Sequence, residues 1–295
     1  MYKWKNKKER GSIFFLKLIV WLALHTSRNL CSFLLYPVTF YFFATDHMAR
    51  RASADYLSTL KGEPAKFKDK FQHMYTFAMT LLDRVYMSHG QFHLFELKVE
   101  NQHLLDEVLQ QGRGCLLLGS HLGSFDLMML AMLELDPRPL SVLMHVDPNA
   151  QVRSIAGVDL SELDVIPLGR PNSFLRAFQA LQEGGVVAML ADRVDGGAAL
   201  PVTFLGRETE MSIAPHVLSA RHGAPTLLCF GLYEGDNKYR IVFTKGYDAL
   251  AQHISGRDLQ PAVNYYTQLL EKYVRQYPNN WFNFYPYWQP KDPSS

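Results

Sequence analysis

Cysteine is scarce in this chain of 295 residues, and so is any excess of charge of one sign. The three cysteines, Cys31, Cys115 and Cys229, are odd in number, widely spaced and free of any CxxC or Cys/His ligand spacing. That excludes a disulfide scaffold and a zinc site, and leaves reduced core thiols of a cytosol-facing protein. Thirty basic residues against 28 acidic ones give a formal charge of +2, too little to hold a nucleic-acid backbone. No P-loop and no G-x-G-x-x-G occurs, so nucleotide chemistry has no foothold. The histidines are scattered, with no i, i+4 pair joined to an acid, so no metal and no bound cofactor is expected. No internal repeat or low-complexity linker interrupts the chain. No apolar run reaches the roughly 20 residues of a full membrane span.

What the chain does have is 48% hydrophobic residues and 13% aromatics, the aromatics crowding its two ends. Lys3, Lys5, Lys7, Lys8 and Arg10 precede an apolar run over residues 13–24, and a second run covers 30–44. Joined, the two runs are long enough to cross a bilayer, but Arg28 would sit near the middle at high cost. Two short helices lying in the interface, with the basic start facing anionic lipid, suit the pattern better. Buried core helices are the rival reading. A cleavable signal peptide is weakened because no small-residue cleavage site follows the first run.

From residue 46 to about 111 apolar residues recur at three- and four-residue steps, the period of helices. After Gly112 the texture changes. Short β-rich runs at 115–118, 141–144, 165–168, 186–190, 226–233 and 239–244 alternate with helical stretches at 125–135, 173–183, 212–222 and 262–277. Such alternation predicts an α/β fold with a mixed, partly parallel sheet flanked by helices. The expected organisation is a membrane-associated N-terminal segment over 1–45 and one catalytic domain over 46–295.

The chemistry concentrates in His121-Leu122-Gly123-Ser124-Phe125-Asp126. A buried strand ends at Gly119-Ser120, Ser124 is placed to cap the following helix, and Asp126 falls in its first turn, where the dipole favours a carboxylate. Residues five apart in a helix lie roughly 140° apart around the axis. His121 can therefore reach Asp126 only from a turn ahead of the helix, giving an imidazole made more basic by a carboxylate and fit to act as general base. The serine stands one position too early for G-x-S-x-G, so an acyl-serine route is disfavoured. A capping Asp beside an ordinary hydrogen-bonded His is the bland alternative. Farther on, Asp192-Arg193 ends a strand beside the glycine-rich Asp195-Gly196-Gly197, where Asp192 is placed to position an acceptor or the base. Arg170, just past the strand at 165–168, is the chosen phosphate-binding candidate, with Arg176 and Arg153 behind it.

A strand followed by H-x4-D/E and an apolar helix resembles the lysophospholipid acyltransferase superfamily. The downstream motifs are most similar to the bacterial lipid A late acyltransferases, whose pattern usually reads H-x4-E. Asp192-Arg193 is similar to that family's strand-terminal Asp-Gln. Residues 200–207, LPVTFLGR, resemble its apolar-Pro-Phe-Phe-Gly-Arg stretch, and residues 214–225 its next helix and strand. The resemblance implies a mechanism in which His121, assisted by Asp126, deprotonates an acceptor that attacks an acyl-carrier-protein or CoA thioester; Arg170, Asp192 and Arg193 are the expected substrate-binding residues. It implies an enzyme at the cytoplasmic face of the inner membrane acting on a hydroxyl or amine of a lipid or glycolipid. A thioester hydrolase using the same pair and a non-catalytic lipid-binding membrane protein are the alternatives. The chain departs from the pattern after Trp281, where Phe282-Asn283-Phe284-Tyr285-Pro286-Tyr287-Trp288 replaces the family's His-Arg-Arg-Trp and leaves the acceptor open.

Overall fold

The computed structural model describes residues 20–135, 139–144, 163–194, 197–248 and 258–288, with side chains of 131–135 excepted. Arg153 and Asp195-Gly196 lie outside the described residues, as does most of the first apolar run.

Seven strands form the main sheet: β1 (Glu96–Glu100), β2 (Cys115–Gly119), β3 (Leu140–Met144), β4 (Asp164–Pro167), β5 (Val186–Leu190), β8 (Thr226–Gly235) and β9 (Lys238–Lys245). Their spatial order is β1-β9-β8-β2-β5-β3-β4. The strands from β8 to β4 run parallel, while β9 folds back antiparallel on β8 and carries β1 parallel to itself. The expected mixed, partly parallel sheet is present, with one strand the sequence reading missed. β1 reads Glu-Leu-Lys-Val-Glu, an edge strand whose charges interrupt any apolar run.

Helices cover both faces. On β2 every residue is buried, and alternate residues serve opposite sides of the sheet. Leu116 and Leu118 join a core with Tyr56, Leu181, Val263, Tyr266, Leu270 and Trp281. Cys115 and Leu117 join another with Val108, Met128, Val142 and Phe243. All three cysteines are buried and free, and burial pushes the Cys115 thiol up to about 12. Residues 199–212, read only as a motif, form a hairpin of β6 (Ala199–Phe204) and β7 (Arg207–Ser212). Leu205 and Gly206 turn it with φ of 54° and 78°, the two positive dihedrals of a tight hairpin whose twist matches its strands.

The N-terminal helices are α1 (Arg28–Thr45), α2 (His47–Lys61) and α3 (Phe67–Ser88). Helix α1 buries Cys31, Leu35, Thr39 and Phe43, a four-residue stripe, and shares with α3 a core that includes Met79, Leu82, Val85 and Tyr86. Arg28 fixes its start through a two-pronged ion pair to Asp83 at 2.7 and 2.8 Å. Among the described residues no helix is long and apolar enough to cross a membrane. In the described part of the expected N-terminal membrane segment, α1 packs one face against the body. Its other side exposes Leu30, Phe33, Phe40 and Tyr41, with Phe33 68% exposed.

Candidate active site

Strands β2 and β5 are neighbours whose onward connections leave in opposite directions. From β2 the chain passes through α5 (Phe125–Leu135) towards β3. From β5 it passes through the hairpin and α7 (Ala214–His222) towards β8. In open α/β sheets such a reversal opens a crevice beyond the carboxyl ends of the two strands, and sites are found there. His121 follows the end of β2 and Asp192 the end of β5, and the register pairs Gly119 with Leu190. Two residues 71 positions apart in the chain therefore meet across one strand spacing.

They are bonded. His121 Nδ1 lies 2.8 Å from Asp192 Oδ1. Asp192 Oδ2 accepts the backbone N–H of His121 at 3.1 Å, the Asn283 side-chain N–H at 2.9 Å and the Trp281 indole N–H at 3.3 Å. Asp192 is fully buried, and burial alone would raise its pKa. Attraction to the His121 ring, that ring's hydrogen bond, the charge of Arg193 and the Asn283 bond outweigh burial and hold the carboxyl well below the usual range. An ionised carboxylate only accepts, so Nδ1 carries the proton and Nε2 is the basic nitrogen of the neutral ring. The His121 side chain is 26% exposed, whereas Asp192 is wholly inaccessible.

The loop between β2 and α5 is tightly specified. Ser124 caps the helix as expected, its Oγ accepting the Leu127 N–H at 3.3 Å. Gly123 has a φ of 73°, and a Cβ there would come within 2.1 Å of the Gly231 carbonyl oxygen. Gly119 is required for packing rather than for a special dihedral, since a Cβ would meet the Phe125 ring at 2.8 Å. Tyrosine hydroxyls tie the neighbouring carbonyls: Tyr266 bonds to Gly119 and Tyr287 to Asp192, each at 2.9 Å.

The expected partnership of His121 with Asp126 is not what the geometry holds. His121 does precede the helix, but its Nδ1 faces Asp192. Asp126, about one-third exposed, pairs with Arg84 of α3. The physical reason is the sheet: β5 delivers an acid to the imidazole, whereas the first turn of α5 presents Asp126 to α3.

Arg193, expected to bind substrate, reaches the C-terminal residues in this structure. Its Nε bonds to Asn283 Oδ1 at 2.6 Å, and its guanidinium lies 5.3 Å from the Tyr285 ring centre. Arg170 sits exposed in the turn after β4, on the same edge of the sheet but three strands from β2. At the usual strand spacing that is about 14 Å of lateral separation. Arg176 pairs with Asp164.

Two groups of site residues were missed. One is the C-terminal strap 280–283. Asn280 accepts the Gly123 N–H at 2.7 Å through its carbonyl, and Phe282 donates its N–H to the His121 carbonyl at 2.7 Å. Trp281 and Asn283 clamp Asp192 as described. The aromatic tail is thus packing, with Trp281, Phe282 and Trp288 buried, and it also closes the site. The other is one stripe of α3. His73 bonds to the Trp281 carbonyl at 2.9 Å, Phe77 packs on the Phe282 ring, and Arg84 holds Asp126. Spacings of four and seven residues, which put all three on one helix face, were the available signal. His73 is fully buried, and desolvation lowers its pKa to about 4, so it is neutral. A cleft of about 950 Å³ between α1, α3 and the β8–β9 turn is lined by Arg28, Tyr36, Tyr75 and Tyr233. None of His121, Asp126 or Asp192 lines it.

The family model for bacterial lipid A biosynthesis acyltransferases matches residues 67–290. The chain belongs to that family. The match runs from the start of α3 through the whole sheet and includes His121, Asp126, Asp192 and the strap. No curated protein matches the chain. Membership establishes an acyltransferase that acts on lipid.

Proposed function

We propose that this acyltransferase moves a fatty-acyl-type chain from an acyl-carrier-protein or CoA thioester to a hydroxyl or amine of a membrane lipid or glycolipid, with His121 as general base. The observation that carries the proposal is the 2.8 Å bond between His121 Nδ1 and the buried, ionised Asp192 at the crevice of the sheet. In the first step His121 Nε2 takes the proton of the acceptor as its oxygen or nitrogen attacks the thioester carbonyl. The tetrahedral intermediate then collapses, the C–S bond breaks, and the imidazolium returns the proton to the leaving thiolate. Asp192 orients the ring and stabilises its positive charge, a contribution of general-base type worth about 10²–10⁴-fold. Asp126, displaced from the ring, is assigned to the acceptor side.

Membrane association is part of the same proposal. The exposed apolar face of α1 and the Lys/Arg-rich start fit attachment to the cytoplasmic face of the inner membrane, with the helix lying in the interface. The free, buried thiols fit a reducing compartment.

The test is acyl transfer to lipid followed by mass spectrometry, with both thioester donors offered. His121→Ala is expected to lower turnover by about 10³-fold with unchanged circular dichroism and melting temperature. Near-normal turnover in that variant would sink the assignment. Free acid released equally with and without lipid acceptors would point to hydrolysis instead.

A further inference from the structure

Asp192 carries its charge on a carboxyl group that can turn. The torsion that sets where its two oxygens point is soft and roughly two-fold, so the rotamer alone does not aim Oδ1 at the His121 ring. The aim comes from whatever holds Oδ2. Three N–H groups reach that oxygen: the His121 backbone at 3.1 Å, the Trp281 indole at 3.3 Å and the Asn283 amide at 2.9 Å. The Asn283 bond is the shortest of the three, and Asn283 is itself buried.

The Asn283 amide is fixed in turn. Arg193 Nε donates to Asn283 Oδ1 at 2.6 Å, and a guanidinium can only donate. An ionised carboxylate can only accept. The amide therefore has a single orientation in which both bonds form, its oxygen on Arg193 and its nitrogen on Asp192. Another arm of Arg193 bonds to the Phe282 carbonyl at 3.3 Å, and the Phe282 N–H holds the His121 carbonyl at 2.7 Å. The residue after Asp192 thus holds the strap residue that holds Asp192. A guanidinium bonded directly to the carboxylate would compete with the imidazolium for its charge. With a neutral amide between them, Arg193 favours the ionised acid through space, and Oδ1 meets the ring at 2.8 Å.

We propose that Arg193 and Asn283 form a positioning relay for the His121–Asp192 pair: Arg193 orients the Asn283 amide, and Asn283 orients Asp192 so that Oδ1 meets His121 Nδ1. The inference rests on the general-base reading above and gives the C-terminal strap a part in the chemical step. Both positioning residues act through Asp192, so their loss lowers kcat and leaves KM in place.

The experiment is a double-mutant cycle on the full-length protein, with palmitoyl-CoA and palmitoyl-acyl-carrier protein offered to vesicles of bacterial total lipid. Asn283→Ala is expected to lower kcat about ten- to hundredfold, the range for a hydrogen bond to a charged group, with KM within about twofold. In an Asp192→Asn background the same substitution should cost less than about threefold, because the carboxylate it serves is gone. Arg193→Gln should lower kcat about three- to tenfold, and much less once Asn283 is Ala. If Asn283→Ala does not fold, as read by circular dichroism and melting, Arg193→Gln in the wild-type and Asp192→Asn backgrounds decides in its place. A substrate-free readout runs beside the kinetics: the His121 Nδ1 proton, seen by NMR in histidine-labelled protein, should lie far downfield. Its signal should vanish in His121→Ala and move upfield or broaden in Asn283→Ala and Arg193→Gln. Equal kinetic losses in both backgrounds, a loss confined to KM, or an unmoved Nδ1 signal in the folded variants overturns the relay. His121→Ala separates the two levels. If it is inactive while Asn283→Ala keeps wild-type kcat, the general-base reading stands and the relay falls. If it stays active, both fall.

Discussion

Asp83 and Asp192 are equally buried, each with a fully inaccessible side chain, yet the protein treats their charges in opposite ways. At Asp83 burial is the larger effect and raises the carboxyl pKa, although Arg28 grips both oxygens and the Tyr239 hydroxyl adds a bond at 2.7 Å. At Asp192 the sum runs the other way. Four N–H groups converge on its two oxygens, and a titratable ring faces it, so the acid stays ionised at all working pH. The first cluster is spent on architecture, joining α1, α3 and β9 through a guanidinium only 11% exposed. The second delivers its charge to an imidazole that is 26% exposed. What distinguishes a structural from a functional buried acid here is therefore the exposure of the partner and the number of donors, not burial itself.

The sharpest way to break this comparison is Asp192→Asn. The amide fills the same space but cannot hold the Nδ1 proton of His121 as a carboxylate does, so turnover should fall by about 10²–10³-fold. The same variant carries a stability signature. Asp192 has a lowered folded pKa, so its contribution is present above the unfolded carboxyl value of about 4 and fades as pH falls below it. Asp192→Asn should flatten that acid limb in denaturant titrations. Comparable loss of activity at pH 7 without any change in acid stability would contradict an ionised Asp192.

Arg28→Ala tests the other side. It strands Asp83 as a buried acid without its cation and should cost about 3–5 kcal/mol of stability. Activity per folded molecule, measured below the melting transition, should stay within about twofold. Arg28→Met with Asp83→Leu, which removes both charges, should recover much of the loss. A collapse of turnover in the folded double variant would show that the N-terminal cluster reaches into the site.

The smallest effect concerns two histidines buried as neutral rings. Desolvation lowers both His73 and His216 to about 4, from an ordinary value of 6.5. A folded pKa below the unfolded one means the unfolded chain takes up protons first. Stability is then complete above pH 6.5 and declines as pH falls towards 4. Each ring should subtract about 2 kcal/mol between pH 8 and pH 5. His216 Nε2 has no hydrogen-bond partner among the described residues, so His216→Phe should remove its half of the slope with little cost at pH 8. His73 sits behind Trp281, and its protonation should loosen the strap and depress activity along with stability.

Much of the fold could be read from residue order. The runs at 115–118, 186–190 and 226–233 became β2, β5 and β8, and the helical stretches kept their positions to within two residues, because burial on both sheet faces writes itself as continuous apolar strands. The Ser124 cap and the placement of His121 ahead of α5 were equally local. Strands β1 and β7 escaped because their charges mask the pattern, and β6 carries a proline, which argues against a strand. At the site the sequence determined which residues end strands and start helices, and hence that His121 and Asp192 would both stand at carboxyl ends. Only the tertiary structure decided that they meet. Adjacency of β2 and β5 is a property of strand order, set by long-range packing, and it brought Asp192 to the ring while α3 claimed Asp126. The strap from Asn280 to Asn283 was decided the same way, by a chain end folding back across a crevice that no local pattern encodes.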